Sequence, residues 1–248
     1  MASAGGHPSR PPRSARVRPD PPGSPLVSVV IPVFNGERFL GQAIESVLSQ
    51  EGVALEVVVV DDGSTDGSTD VATAFGPPVR CLHQANRGIA GARNTGIRAS
   101  RGELLAFLDA DDVWTPGRLR AQVDQLESEP EVDCIFGIVE HFRDAGASAR
   151  YESRAPERAP GLLPGAMLVR RASFLQVGLF DEERRLAEFI EWQLRAEEHG
   201  LRRQFLRQVV LRRRIHDANT TARLVAERID YLRVLRSALL RRRAEEKT

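Results

Sequence analysis

Between Leu104 and Trp114 an apolar run stops on three carboxylates, Asp109, Asp111 and Asp112. Acids packed this closely repel one another unless a cation lies among them. Carboxylate oxygens suit hard divalent ions such as Mg2+ or Mn2+, and such an ion commonly accompanies a phosphate ligand. A second polar cluster, Asp61-Asp62-Gly63-Ser64-Thr65-Asp66, follows the apolar run Leu55–Val60. A third, ending in Asn35-Gly36-Glu37, follows Val27–Val33. Acids that directly end a buried strand sit where open α/β sheets bind their ligands.

The elements that must position these groups alternate. The β-branched runs Val27–Val33 and Leu55–Val60 predict strands buried on both faces. Val79–His83 and Glu103–Leu108 predict two more. Between them, Glu37–Gln50 has Phe39, Leu40, Ile44, Val47 and Leu48 at helical spacing, and Gly88–Ala99 predicts another helix. Asp66 or Ser68 is placed to cap the helix after the second strand. Pro116–Leu126 predicts a helix with proline in its first turn. Strands alternating with helices argue for an α/β fold with a doubly wound parallel sheet. Beyond residue 130 the pattern loosens. Val132–Val139 and Val209–Ile215 read as strands, Glu188–His199 as a helix, Ala166–Val177 as apolar and mixed, and Arg143–Pro164 as a polar loop.

Composition bounds the rest. Residues 1–25 carry four Arg against one Asp and almost no bulky apolar side chains, so they are expected to be disordered. Residues 202–248 carry fourteen basic against five acidic residues, leaving the segment between at seventeen basic and twenty-eight acidic. An acidic body suits cation binding. Thr221–Arg243 predicts a long amphipathic helix with an apolar stripe of Leu224, Val225, Ile229, Leu232, Leu235 and Leu239 beside many arginines. Packing on the domain or a subunit contact is its commoner use; attachment to anionic lipid is the other. The only lysine is Lys247, which excludes a catalytic core lysine. Two cysteines, Cys81 and Cys134, provide neither a disulfide scaffold nor a zinc site, so a cytoplasmic compartment is the expectation, with a peripheral contact at the inner face of the membrane if the basic helix binds lipid. No apolar stretch approaches the ~20 residues of a membrane span, and the N-terminus lacks the apolar core of a secretory signal. Few aromatics interleave with the basic residues, which argues against nucleic acid.

The motifs together closely resemble the family 2 glycosyltransferases, inverting enzymes with a GT-A fold. The matching residues are Val27-Ser28-Val29-Val30-Ile31-Pro32-Val33-Phe34-Asn35-Gly36, Val58 through Asp66, Asn86-Arg87-Gly88 with Ala92-Arg93-Asn94-Thr95-Gly96, and Phe107 through Asp112 with Trp114. The resemblance implies a domain over residues 26–220, flanked by the 1–25 segment and the 221–248 tail. It implies transfer of a sugar, with inversion, from a nucleoside diphosphate sugar, UDP-linked in most of the family, to an acceptor whose identity stays open, as does the oligomeric state. Pro32, Val33, Asn35, Glu37, Asp61, Asp62, Arg93 and Asp109 would line the donor pocket. Asp109, Asp111 and the late His216 would hold Mn2+ or Mg2+. The family often shows Gly-x-Phe-Asp-Glu and then Glu-Asp with a further acid and an Arg. Here Gly178-Leu179-Phe180-Asp181-Glu182 fits, but Phe189 stands where the catalytic Asp is usual. Glu188 is then the candidate base and Glu191 the second, since an inverting transfer to a hydroxyl wants a proton acceptor within reach.

Two other readings compete. A degenerate relative that binds nucleotide without transferring would also explain Phe189. Asp109-Ala110-Asp111-Asp112-Val113 also fits the nucleophile loop of haloacid dehalogenase-like phosphatases, although the balancing lysine is missing and the motif falls on the fourth strand instead of the first.

Overall fold

The structure, a computed structural model, describes residues 24–144, 156–184 and 187–217. The expected helix Thr221–Arg243 and all but the last two residues of the 1–25 segment lie outside them.

Four apolar runs form one half of a nine-stranded sheet: β1 (Val27–Val33), β2 (Leu55–Asp61), β3 (Val79–His83) and β4 (Leu104–Phe107). They are parallel, in the order β3-β2-β1-β4. Every position of β1 and β4 is buried, as expected of β-branched and aromatic runs covered on both faces. Helices α1 (Glu37–Leu48), α2 (Ser68–Thr73) and α3 (Gly88–Ala99) carry the crossovers. The chain steps outward from β1 to β3, then returns on the other side of β1 as β4. The carboxyl ends of β1 and β4 therefore flank a switch point, where such sheets open a crevice.

The second half closes that crevice. It comprises β5 (Val113–Trp114), α4 (Arg118–Ser128), β6 (Cys134–Arg143), β7 (Arg158–Gly161), β8 (Leu168–Arg170), α5 (Arg171–Val177), α6 (Glu188–Glu198) and β9 (Arg203–Ile215). β8 lies antiparallel between β4 and β6, β9 runs parallel to β6, and β5 pairs antiparallel with the late part of β9. The β5–β9 pairing brings the end of β9 back to the three-carboxylate turn.

Several elements differ from the sequence reading. Pro116 precedes α4 instead of opening it, because Gly117 takes φ 73° and the helix starts at Arg118. Ala166–Val177 resolves into a three-residue strand running straight into a helix. β9 starts at Arg203, six residues before the expected Val209. Part of the expected loop Arg143–Pro164 pairs with β6 as β7. Neither expected residue is the N-cap of α2: that position is Gly67, and Ser68 is already the first helical residue. Asp66 accepts from the backbone N–H of Ser68 (3.0 Å) and of Glu37 (3.0 Å), so it serves the first turns of α2 and α1 at once.

Below the crevice, at the opposite end of the sheet, Glu56 is nearly buried. It accepts from Ser28 Oγ (2.7 Å), Arg101 N (2.6 Å), Arg101 Nε (3.0 Å) and Arg80 Nη2 (3.1 Å). Burial opposes its charge, but hydrogen bonds from Ser28 and Arg101 outweigh that and lower its pKa from 4.5 to about 2. A carboxylate with a depressed folded-state pKa stabilises fully above its unfolded pKa and loses that contribution as the pH falls toward the folded one. The shift corresponds to about 3 kcal/mol. Glu56→Gln is therefore expected to lose about that much stability in urea at pH 7, with the gap to the parent narrowing steadily between pH 5 and pH 2. A gap independent of pH would refute the electrostatic account.

Candidate functional site

The loops after β1 and β2 are stitched together. Asn35, at φ 52°, accepts the N–H of Thr65 (2.8 Å) and donates its own N–H to Ser64 Oγ (2.9 Å). Glu37 accepts from Gly67 N (3.0 Å), reciprocating the Asp66 contact. Pro32 and Val33 are buried at the end of β1, while the adjacent Phe34 ring is 53% exposed.

Asp61 and Asp62 are both buried, but they face different partners. Asp61 accepts from Ser64 N (2.8 Å) and Thr69 Oγ1 (2.5 Å), with His83 Nδ1 at 3.6 Å. Burial opposes its ionisation, and the bonds from Ser64 and Thr69 prevail, holding its pKa below the ordinary range. Its place in the fold is the turn itself. Asp62 accepts from Gln84 Nε2 (2.7 Å), Arg87 N (2.9 Å) and Gly88 N (2.8 Å), gathering the donors at the start of α3. Gly88 sits at φ 78°, which lets that N–H turn to the carboxylate.

Arg93 is the central group. It lies on α3, 2% exposed, with Nη2 2.6 Å from Asp109 Oδ1 and Nη1 2.5 Å from Glu188 Oε1. Burial alone would weaken its charge; the two carboxylates hold it protonated. Its Nε is buried without a hydrogen-bond partner. Glu188 opens α6, where the helix N-terminus favours a negative charge. Burial nevertheless pushes its pKa up, against the pull of Arg93. A carboxylate whose pKa is raised and that is held in place is a better proton acceptor than an ordinary glutamate.

Phe189 packs into the core beside Trp192 (ring centroids 6.2 Å), Phe180 (6.4 Å) and Phe136 (6.5 Å). Its burial turns the preceding residue, Glu188, toward Arg93. Glu191 takes another direction. Arg195 Nε donates to both of its oxygens (2.9 Å each), and the other arginine nitrogens donate to the carbonyls of Val177 (2.6 Å) and Leu179 (2.8 Å). That pair fastens α6 to the end of α5.

The segment after α5 docks on α3 through residues that the site reading left out. Asn94 Nδ2 donates to the Phe180 carbonyl (2.9 Å) and Asn94 Oδ1 accepts the Phe180 N–H (3.0 Å). Glu182 accepts from Asn94 (3.0 Å) and Arg87 (2.5 Å), and hydrogen bonding from Asn94 lowers its pKa. The signal for this docking was present in the Ala-Arg-Asn-Thr-Gly and Gly-x-Phe-Asp-Glu motifs, but not their mutual contact.

At the end of β4, Asp109 and Asp111 are partly exposed, at 37% and 31% of their side chains. Asp111 Oδ2 lies 2.9 Å from His216 Nε2, although 105 residues separate them. Asp112 is buried and accepts the backbone N–H of Arg214 (2.8 Å). Burial first, then the charges of Asp111 and Asp109, push its pKa well above the carboxylate range. The structure thus joins Asp111 to His216 and turns Asp109 to Arg93. No group of three or more His, Cys, Asp or Glu side chains suited to a metal ion occurs among the described residues. Asp111 and His216 nonetheless supply an oxygen and a nitrogen donor at one point. Mg2+-type sites with phosphate ligands need only one or two protein carboxylates, the rest coming from phosphate and water, so the pair fits such an ion. Among the described residues no helix is long and apolar enough to cross a membrane.

The chain is similar to known proteins in sequence and in fold. An uncharacterized glycosyltransferase of Rickettsia felis is 36% identical over 174 residues, covering 64% of this chain and 29% of that one. One from Nostoc is 39% identical over 140 residues, covering 55% and 42%. The chain thus spans less than half the length of these two curated relatives. Among solved structures, S. aureus TarS superposes with a TM-score of 0.65 at 21% identity, over 86% of this chain and 39% of that one. TarS 1-349 in complex with UDP-GlcNAc gives 0.63 at 22%, over 78% and 59%. The mannosyltransferase PcManGT from Pyrobaculum calidifontis, in complex with GDP-Man and Mn2+, gives 0.62 at 22%, over 91% and 66%. These likenesses establish the GT-A fold. The family model for glycosyl transferase family 2 matches residues 28–225, four-fifths of the chain and all the elements just described, and the chain belongs to that family.

Proposed function

We propose that this chain is the transferring domain of a metal-assisted, inverting glycosyltransferase that takes its sugar from a UDP-linked donor. The observation that carries the reading is the Asp109–Arg93–Glu188 array, which places a buried, upward-tuned carboxylate beside the Asp-x-Asp turn at the switch point. The UDP and UDP-GlcNAc complexes of TarS support the donor class, and the Mn2+ complex of the mannosyltransferase supports the ion.

In this mechanism the nucleotide lies across the carboxyl ends of β1 and β2. The exposed Phe34 ring offers a stacking surface to its base. Asp62, Asn35 and Glu37 hold the surrounding loops in place. Asp111 and His216 would hold Mn2+ or Mg2+, which offsets the charge developing on the leaving diphosphate. Asp109 stays with Arg93. The acceptor hydroxyl oxygen attacks the anomeric carbon opposite the diphosphate. The bond from that carbon to the phosphate oxygen breaks, and the diphosphate leaves with the electron pair. Glu188 takes the hydroxyl proton.

Thermal unfolding with UDP, GDP, dTDP or CDP, each with and without Mn2+, tests the donor site. UDP with Mn2+ is expected to stabilise the protein by about 2.7 kcal/mol at a hundred times its Kd, and Asp111→Ala is expected to abolish the Mn2+-dependent part. Absence of a shift with all four diphosphates would overturn the reading.

A further inference from the structure

The late strand β9 ends in a cluster that the donor and base assignments do not use. Arg214 is nearly buried and reaches three separate segments. Its Nε donates to the Asp111 carbonyl (2.9 Å), its Nη2 to Gln42 Oε1 on α1 (2.6 Å), and its Nη1 lies 3.4 Å from Asp144 Oδ1 after β6. Its backbone N–H donates to Asp112 Oδ1 (2.8 Å). The guanidinium lies over both Phe39 (4.6 Å) and Phe142 (4.7 Å). The His216 ring packs on the same Phe39, at 4.8 Å between centroids.

We infer that Arg214 is a positioning residue that sets His216 against Asp111 and so completes the two-residue metal site proposed above. His216 lies one residue past the end of β9 and two after Arg214, and both side chains pack on Phe39, so what fixes Arg214 there also bears on the direction of His216. A strand terminus is otherwise prone to fray. Here a planar, five-donor side chain spans three acceptors from separate parts of the chain, a task for which lysine has no equivalent geometry. One of those acceptors is the main chain of Asp111 itself, so the same side chain registers both members of the pair. Partners that orient a ligand in this way are worth about 10- to 100-fold in metal affinity.

The inference rests on the metal reading, and the test separates the two. Mn2+ is titrated into the UDP-saturated protein and free Mn2+ is followed by electron paramagnetic resonance, without turnover. Arg214→Gln is expected to weaken Mn2+ binding about tenfold or more, and His216→Ala by a similar factor. The double variant is expected to bind no more weakly than His216→Ala alone, because Arg214 acts through that ring. Arg214→Lys, which keeps the charge and much of the bulk, is also expected to weaken binding, which guards against a folding defect in the first variant. Parental Mn2+ affinity in both arginine variants, or single effects that multiply in the double variant, would overturn the assignment. Failure of the parent protein to bind Mn2+ would be a different result: it would remove the metal reading and this inference with it.

Discussion

Glu188→Gln is expected to lower kcat/KM for transfer to a hydroxyl acceptor about 1,000-fold while leaving UDP affinity within about threefold. The substitution keeps the shape and one hydrogen-bond acceptor for Arg93, but it removes the group that takes the proton. Two features make Glu188 the choice over its neighbours. Phe189 is committed to the aromatic core against Trp192 and Phe180, and Glu191 is held bidentately by Arg195. Glu191→Gln should therefore show mainly in stability, through the loosened link between α6 and Val177, and little in rate. A pH profile adds an independent check. Burial raises the pKa of Glu188 from its ordinary value, so the parental rate should fall on the acid side at a higher pH than an unperturbed glutamate would give. The residual activity of the Gln variant should lack that limb. A variant with parental rate would show that transfer proceeds without this base, as it could to an acceptor already ionised, such as a thiolate.

The parallel half of the fold was legible because local signals and tertiary demands coincide there. β1 and β3 start and end where the sequence reading put them, β2 and β4 within a residue or two, and α3 as expected. Continuous β-branched runs have one use, a strand covered on both sides, and the acidic turns mark where they end. The second half was harder for physical reasons. β5 is two residues long and exists only because β9, almost a hundred residues later, pairs with it. The first six residues of β9 are Arg and Gln around a single apolar pair, Phe205-Leu206, and none of them is fully buried; a buried-strand pattern appears only near Val209. At the site, residue types were legible but their partners were not. Asp61 and Asn35 sit at the expected sheet ends, yet their side-chain oxygens accept from the turn that holds them. Arg93 was expected to face the nucleotide, whereas it is buried between Asp109 and Glu188. Periodicity places a residue on a face of an element; it does not say which charge from another element will meet it there. Asn94 and Glu182 escaped the site reading for the same reason, since each belongs to a motif whose partner lies nearly ninety residues away.

That buried arginine sets the largest expected effect on stability. Arg93→Met should destabilise the fold by about 3–5 kcal/mol at pH 7.5, measured by urea unfolding. Methionine fills much of the volume and tolerates the contact with Phe180, so the loss is mainly electrostatic. Without the guanidinium, Glu188 is a buried carboxylate with no cation beside it, and Asp109 faces it across the vacated space. A buried charge left alone costs far more than the intact pair contributed, because its hydration was given up on folding. The double variant Arg93→Met/Glu188→Gln should therefore be more stable than Arg93→Met alone, recovering about half the loss or more, since no buried uncompensated charge remains. Acid should help the single variant in the same way. Glu188 takes up a proton as the pH falls, and the deficit against the parent should be smaller at pH 5 than at pH 8. Equal losses in the single and double variants, unchanged between those pH values, would mean that Arg93 supports α3 through packing against Phe180, and that its two carboxylates are held apart by the backbone without it.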